Sequence, residues 1–135
     1  MPAKAVAKKT SADKQADFAE IFKQLRAILV PYARKKMRVA QNTPDYYYIE
    51  TELPVYRGKP VMFAAVRKGK NYVSYHLMPL YMNQKMQASL SPELKKRQQG
   101  KACLNFAKPD KKLFAELSTL TEQGLECFRK LAAKS

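Results

Sequence analysis

The sequence predicts an α+β domain in which a mainly antiparallel sheet of about four to five strands is flanked by an N-terminal helix and a long C-terminal helix. Two amphipathic stripes and one alternating segment lead to this prediction. Apolar side chains recur at spacings of three and four over Phe18–Tyr32 and over Leu113–Leu131, which is typical of helices that bury one face. Between these stripes, Tyr46–Leu53 alternates with period two and indicates a strand with one covered face.

The N-terminal helix is expected to begin at Asp17, whose carboxylate can cap the first turn together with Glu20. Pro31 lies inside the same apolar stripe and cannot donate a backbone hydrogen bond. The helix is therefore expected either to kink at Pro31 or to end near Val30 and resume as a short turn through Lys36.

The segment before this helix is rich in alanine and lysine and has a single branched apolar side chain, Val6. Such a segment has nothing with which to offset the entropy of becoming ordered. The sequence therefore predicts a flexible basic arm over 1–16, followed by a single α+β domain over 17–135.

Three strands are expected after the first helix. Tyr46–Leu53 is the first, and Val61–Arg67, which is apolar on both faces, is typical of a central strand. Lys68–Asn71 has the composition of a hairpin turn and leads into the third strand, Tyr72–Leu77. The Met-rich segment Met78–Met82 is expected to be a loop.

The last third of the chain predicts a short helix, a strand and the long helix. Ser91 is a suitable N-cap for the short helix, and Gly100 is a plausible end. Lys101–Phe106 is a further strand, and Asp110 caps the long helix. Gly124 lies in the apolar stripe of that helix, where it costs about 1 kcal/mol unless close packing requires it.

The chain is strongly basic. Against 26 Lys and Arg stand 11 Asp and Glu, which gives a formal net charge of +15 and an isoelectric point near 9.9. Such a charge attracts polyanions, and the apolar runs are far shorter than the roughly 20 residues of a membrane span. A solvated basic face that binds nothing is the alternative. The residues expected to bind an anionic partner lie in the basic runs and near the hairpin turn: Arg34, Lys35, Lys36, Arg38, Lys68, Lys70, Lys95, Lys96, Arg97 and Lys101.

Aromatic side chains form a second candidate site. If they share the sheet face opposite the helices, they make a shallow platform for stacking bases or a small aromatic ligand. In the alternative, the tyrosines pack among themselves and under the Met78–Met82 segment. The ligand-pocket candidates are Tyr46, Tyr48, Tyr72, His76 and Tyr81.

The sequence predicts neither an enzyme nor a metal or cofactor site. His76 and Cys103 are a conceivable base and nucleophile, but no acid is placed to orient them, and a small buried cysteine is commonly part of a core. Two cysteines and one histidine cannot fill a zinc site. Glu50 and Glu52 share a strand face, but two acids fall short of the oxygen-rich shell of a hard cation.

The segment Leu53–Pro60, followed by Val61–Val66, resembles the YdhG-like family of small bacterial domains, domain of unknown function 1801. Gly69–Leu77 looks like that family's hairpin and Gly100–Phe106 like its last strand. The resemblance covers about Asp17–Leu131. It implies a helix-flanked antiparallel sheet and no particular reaction. Some relatives are proposed as frataxin-like iron chaperones, a role that implies clustered carboxylates, and this sequence departs from that pattern.

Taken together, these observations predict a binding protein that contacts an anionic partner such as nucleic acid. The alternative is a small-ligand or metal-carrier domain that uses an aromatic pocket around His76. No secretory signal is visible, and the two cysteines are interpreted as reduced, so a cytoplasmic location is expected. The protein is expected to be a monomer or a weak homodimer.

Overall fold

The computed structural model describes residues 11–55, 59 and 61–134 and shows an α+β fold. The helices are α1 (Ser11–Leu29), α2 (Met78–Met82), α3 (Gln84–Ala88), α4 (Pro92–Lys95) and α5 (Lys111–Lys134), with a 3-10 helix at Val30–Arg34. The strands are β1 (Met37–Asn42), β2 (Tyr46–Thr51), β3 (Met62–Lys68), β4 (Val73–Leu77), β5 (Gln98–Gln99) and β6 (Cys103–Phe106).

These strands form one antiparallel sheet in the order β1-β2-β3-β4-β6-β5. The predicted fold class is confirmed, although the sheet has six strands instead of four to five. Strand β1 was not predicted, because Met37 is its only buried residue and the strand has no alternating apolar pattern. It is an edge strand, and its pairing with β2 slips between Val39 and Gln41.

Helix α1 begins at Ser11, not at Asp17 as the sequence predicted. The apolar stripe from Phe18 marks only the part of the helix that packs on the core, whereas the alanine and lysine residues before it favour a helix by propensity. Residues 11–16 therefore belong to α1 and not to an arm, and residues 1–10 lie outside the described part of the chain. The expected end near Val30, with a short turn after it, is confirmed.

The expected loop at Met78–Met82 is instead helix α2, followed by α3. Asn83 separates the two helices, and its side-chain oxygen accepts hydrogen bonds from the backbone N–H groups of Lys85 at 3.0 Å and Met86 at 3.2 Å. The N-cap of α4 is as predicted, because the Ser91 hydroxyl accepts from Leu94 N–H at 3.2 Å. Gly100 does not end a helix; it lies in the turn between β5 and β6 with a φ of 68°.

Helices α1 and α5 pack on one face of the sheet. The Arg26 guanidinium of α1 lies 4.7 Å from the ring centroid of Tyr47 on β2. On β4, Tyr75 is fully buried, and its hydroxyl lies 2.5 Å from the Thr121 hydroxyl of α5. Asp110 caps α5 as predicted, by accepting from Leu113 N–H at 3.0 Å. The core therefore lies between the sheet and these two helices.

A bulge in β3 supplies a central aromatic residue to this core. Ile49 pairs with Ala64, whereas Glu50 pairs with Met62, so Phe63 is the extra residue of the strand. Its ring lies 5.6 Å from that of Phe128 on α5, centroid to centroid. The bulge thus turns Phe63 toward the helices.

Because successive side chains of a strand point to opposite faces, every second residue faces away from α1 and α5. We call this second face the open face. Its residues are Arg38, Gln41, Tyr46, Tyr48, Glu50, Met62, Ala65, Arg67, Ser74, His76, Gln99, Cys103 and Asn105. Among the helices that the structure describes, none combines the length and apolarity needed to cross a membrane.

Candidate site on the open face

The open face carries two adjacent rows of side chains that run across the strands. In the first row, Tyr46 pairs with Arg67, Arg67 with Ser74, and Ser74 with Asn105. Asn105 donates its backbone N–H to the Arg97 carbonyl at 2.8 Å, which places Arg97 at the far end of this row. Two exposed arginines therefore stand about 14 Å apart, three strand spacings, on a polar row with one tyrosine.

The second row contains the histidine. Tyr48 pairs with Ala65, Ala65 with His76, and His76 with Cys103, which in turn pairs with Gln99. Tyr48 and His76 flank the small Ala65 and are both half-buried. Tyr46, Tyr48 and His76 thus share one face of the sheet, which was the condition for an aromatic platform.

Tyr46 and Tyr48 connect the two rows. Their ring centroids are 5.8 Å apart, and the rings meet edge to face at 81°. Burial, the Glu50 carboxylate and Tyr46 raise the pKa of Tyr48, so its ring is a neutral phenol at pH 7. Because the two tyrosines lie on an exposed sheet face, they offer aromatic surface to a ligand.

A hydrogen-bond network holds the polar side chains of β4, β5 and β6. Ser74 Oγ donates to Asn105 Oδ1 at 2.8 Å, and Asn105 Nδ2 donates to Gln99 Oε1 at 2.7 Å. The Tyr72 hydroxyl donates to the same Gln99 oxygen at 3.4 Å. Tyr72, although it precedes β4, is thereby tied to the open face beside Gln99.

The structure brings the thiol of Cys103 and the imidazole of His76 together, with Sγ 3.8 Å from Nε2. Burial raises the pKa of the Cys103 thiol, although a hydrogen bond with Ser74 acts in the opposite direction. Burial and the nearby Arg67 guanidinium lower the pKa of His76. Both shifts favour the neutral thiol and neutral imidazole, whereas an activated cysteine nucleophile needs the thiolate. We therefore interpret the Cys103–His76 pair as a polar contact within the hydrogen-bond network and not as an activated nucleophile and its base.

A shallow depression of about 320 Å³ lies at the tip of the β3–β4 hairpin, on the open face. Its lining includes Arg67, Lys70, Tyr72, His76 and Gln99. Of the aromatic candidates, Tyr72 and His76 thus line a concave site, whereas Tyr46 and Tyr48 lie beside it on the flat part of the face. Tyr81 belongs elsewhere: it is exposed on α2, and Lys101 Nζ lies 5.6 Å from its ring centroid.

The two dense basic runs lie at opposite edges of the sheet. Arg34, Lys35 and Lys36 precede β1 at one edge, and Lys95–Arg97 precede β5 at the other. Five strand spacings, about 24 Å, separate those edge strands. The two runs therefore do not form one compact binding surface, a possibility that the sequence left open.

The other predicted anion-binding residues differ in their availability. Arg38 forms an ion pair with Glu50, and Lys68 lies 3.4 Å from Asp45. Lys70 is exposed at the hairpin and lines the depression. Arg67 was missed by the sequence interpretation, although the end of the apolar run of β3 at this residue was a usable signal.

The acidic residues do not assemble into a metal site. Glu50, the better placed of the two strand carboxylates, is engaged by Arg38. Among the residues that the structure describes, no three His, Cys, Asp or Glu side chains converge as metal ligands would. The pairing of Glu50 with Arg38 also means that this carboxylate does not repel an anion from the open face.

Comparison with known proteins adds no identification: no family model, no curated protein and no solved structure matches this chain.

Proposed function

We propose that the protein binds single-stranded nucleic acid on the open face of its sheet, without catalysis. One observation carries the proposal: the strand register places Tyr46, Tyr48 and His76 on the same face as Arg67, and a backbone hydrogen bond holds Arg97 beside Asn105 of that face. Proteins that bind single strands with little sequence preference combine aromatic side chains, on which bases stack, with cations that follow the backbone. Both components are present on this face.

The charge balance of the face supports an anionic partner. Arg67 stands opposite neutral partners, since it pairs with Tyr46 and Ser74, and the neutral Asn105 lies beside Arg97. The one carboxylate that the described strands place on this face, that of Glu50, is paired with the Arg38 guanidinium. The negative phosphates of a nucleic acid can therefore pair with these arginines. The net charge of +15 also speeds the encounter with a polyanion.

A single strand suits this geometry better than a duplex. The bases of a single strand are free to stack on tyrosine rings, whereas those of a duplex are already stacked on each other. Most contacts go to the phosphates and to the faces of the bases, so sequence preference is expected to be small. Single strands should accordingly bind more tightly than duplexes of equal length.

Fluorescence anisotropy with labelled oligonucleotides tests the proposal. Three or four phosphate contacts predict that log K falls against log salt with a slope of about −2 to −3. Tyr48→Ala should weaken binding about tenfold, since stacking on one aromatic ring contributes about 1–3 kcal/mol. Tyr81→Ala is the matched control, because Tyr81 is an exposed tyrosine of α2, and it should bind like the wild type. Absence of binding at low salt, or equal losses in both variants, would overturn the proposal.

A small-molecule ligand is the second candidate function, and the depression lined by Tyr72 and His76 is the observation that favours it. Native mass spectrometry of freshly purified protein separates the two functions, because it reports a retained small molecule or a retained oligonucleotide by its mass. A retained small molecule, together with no affinity for oligonucleotides, would establish the second function in place of the first.

The proposal also covers the location of the protein, its family and its oligomeric state. The two free thiols, Cys103 and Cys127, support a reducing, cytoplasmic location. A relationship to the YdhG-like family is supported by the motifs around Leu53–Val66 and by the helix-flanked antiparallel sheet which that resemblance implies. We propose further that the protein acts as a monomer or weak homodimer.

A further inference from the structure

The depression at the β3–β4 hairpin is distinct from the flat tyrosine surface because of the polar groups that it presents. Arg67 and Lys70 bring two cationic side chains to its lining, and no carboxylate is among its lining residues in the described part of the chain. Tyr72 brings an aromatic ring that is 37% exposed. A ligand that fits this chemistry carries negative charge at one end and a planar group at the other.

Gln99 adds a directional contact to this depression. Its side-chain oxygen already accepts hydrogen bonds from Asn105 Nδ2 at 2.7 Å and from the Tyr72 hydroxyl at 3.4 Å. Asn105 is itself held, because its Oδ1 accepts from Ser74 Oγ at 2.8 Å. With its oxygen occupied, Gln99 has its two N–H donors left for a ligand, and these suit the carbonyl oxygen of a nucleobase.

We propose that this depression holds one nucleotide unit of the bound strand, an inference that rests on the proposed function. Arg67 and Lys70 bind the phosphate, the base lies against the Tyr72 ring and His76, and Gln99 donates to a base carbonyl. The volume of about 320 Å³ suits one such unit and not a longer segment of strand. The flat surface at Tyr46 and Tyr48 receives the neighbouring bases.

His76 provides a built-in reporter for this subsite, because it is the only histidine of the chain. Its imidazole faces the Arg67 guanidinium and the Cys103 thiol, with the Lys70 ammonium in the same lining. Burial and Arg67 lower the pKa of His76 in the free protein. A phosphate bound at Arg67 opposes the guanidinium charge, so it moves the pKa of the imidazole upward.

NMR titration of the His76 ring signals in the full chain tests the subsite with deoxythymidine monophosphate. We expect the mononucleotide to shift these signals and to raise the midpoint of their pH titration. Thymidine, which lacks the phosphate, should leave the midpoint unchanged. Inorganic phosphate, which lacks the base, should raise it only at higher concentration, and an equal response to phosphate and mononucleotide would overturn the role of the base.

Charge variants give the second arm of the test. Arg67→Gln should weaken both the mononucleotide and a labelled single-stranded oligonucleotide about tenfold, as expected for the loss of a charged hydrogen bond to phosphate. Lys70→Gln, at an exposed hairpin position, should weaken both in the same direction. Arg34→Gln removes the same charge at the β1 edge of the sheet and should change neither affinity by more than about twofold.

The outcomes separate the subsite from the proposed function. If the oligonucleotide binds and Tyr48→Ala weakens it, but neither Arg67→Gln nor the His76 titration responds, the subsite is wrong and the proposed function stands. If the mononucleotide binds and the oligonucleotide does not, the assignment to a strand is wrong, together with the proposed function. If neither ligand binds at low salt, both are wrong.

Discussion

Ser91 donates two hydrogen bonds to the carboxylate of Glu116, from its backbone N–H at 2.9 Å and from its hydroxyl at 2.6 Å. The same hydroxyl accepts from Leu94 N–H and so caps α4. A helix as short as Pro92–Lys95 has no stability of its own, because one turn does not offset the cost of helix nucleation. Glu116 therefore fastens α4 to the long helix α5.

Replacing Glu116 with alanine should loosen α4. Two hydrogen bonds to a charged acceptor are lost, and we expect the free energy of unfolding to fall by about 1.5–3 kcal/mol. The amides of Leu94 and Lys95 should exchange faster with solvent, which hydrogen-exchange NMR measures. Glu126→Ala is the control, since Glu126 is exposed and its ion pair with Arg129 should contribute less than about 1 kcal/mol. Unchanged protection at Leu94 would contradict this role for Glu116.

Gly124 lies where α5 passes α2. A Cβ at this position would lie 3.0 Å from both Cβ and Cγ of Pro79. Alanine usually stabilises a helix by about 1 kcal/mol relative to glycine, but overpacking typically costs about 1–3 kcal/mol. Gly124→Ala should therefore lower the free energy of unfolding. Urea unfolding gives the free energy of each variant. In a background with Pro79→Gly, where both of these atoms are absent, the same Gly124 substitution should become neutral or stabilising; equal effects in both backgrounds would rule out this contact.

Lys36 has a φ of 58°, in the left-handed region that side chains other than glycine rarely adopt. Glycine removes the steric cost of this conformation but loses more entropy on folding, so Lys36→Gly should stabilise the fold by up to about 1 kcal/mol. Lys35→Gly removes the same charge at a φ of −113° and should destabilise it by about 0.5–1 kcal/mol. Thermal unfolding of the pair checks this, and a Lys36→Gly protein that melts below the Lys35→Gly protein would contradict it.

The stability of the fold should depend on His76 in mildly acidic solution. Its pKa is lowered in the folded protein from an ordinary value of 6.5, so the unfolded chain binds the proton more readily. The stabilisation by neutral His76 is complete above pH 6.5 and is lost as the pH falls toward the lowered folded value. His76→Gln should lack this part of the acid dependence. Urea unfolding between pH 7.5 and pH 5 measures the difference between the two proteins; parallel profiles would contradict it.

The sequence predicted the elements in which buried and exposed residues alternate with a regular period. The alternation in β2 put Tyr47, Ile49 and Thr51 on the covered face, and all three are buried. Asp110 was recognised as the cap of α5. Strand β1 was missed because five of its six residues are exposed, and β5 because two residues carry no pattern. Both are held by pairing with a neighbour, which is a tertiary contact.

The candidate site was reached only in part, for the same reason. Strand parity alone groups Tyr46 with Tyr48, because they stand two residues apart on one strand. Parity does not say which strands are neighbours, so the contacts of Arg67 with Tyr46 and of Cys103 with His76 follow only from the sheet order. The Gln99 network likewise joins residues of three different segments.

The irregular edge strand β1 determines how this sheet meets other sheets. A second copy that added its own β1 antiparallel to this one would meet the slip between Val39 and Gln41, where a regular ladder of hydrogen bonds cannot continue. Each copy also carries a net charge of +15, so two copies repel each other. Growth of the sheet by lateral addition is thus opposed both by geometry and by like charge. Copies of this chain that are crowded together are therefore hindered from joining into one continuous sheet through β1.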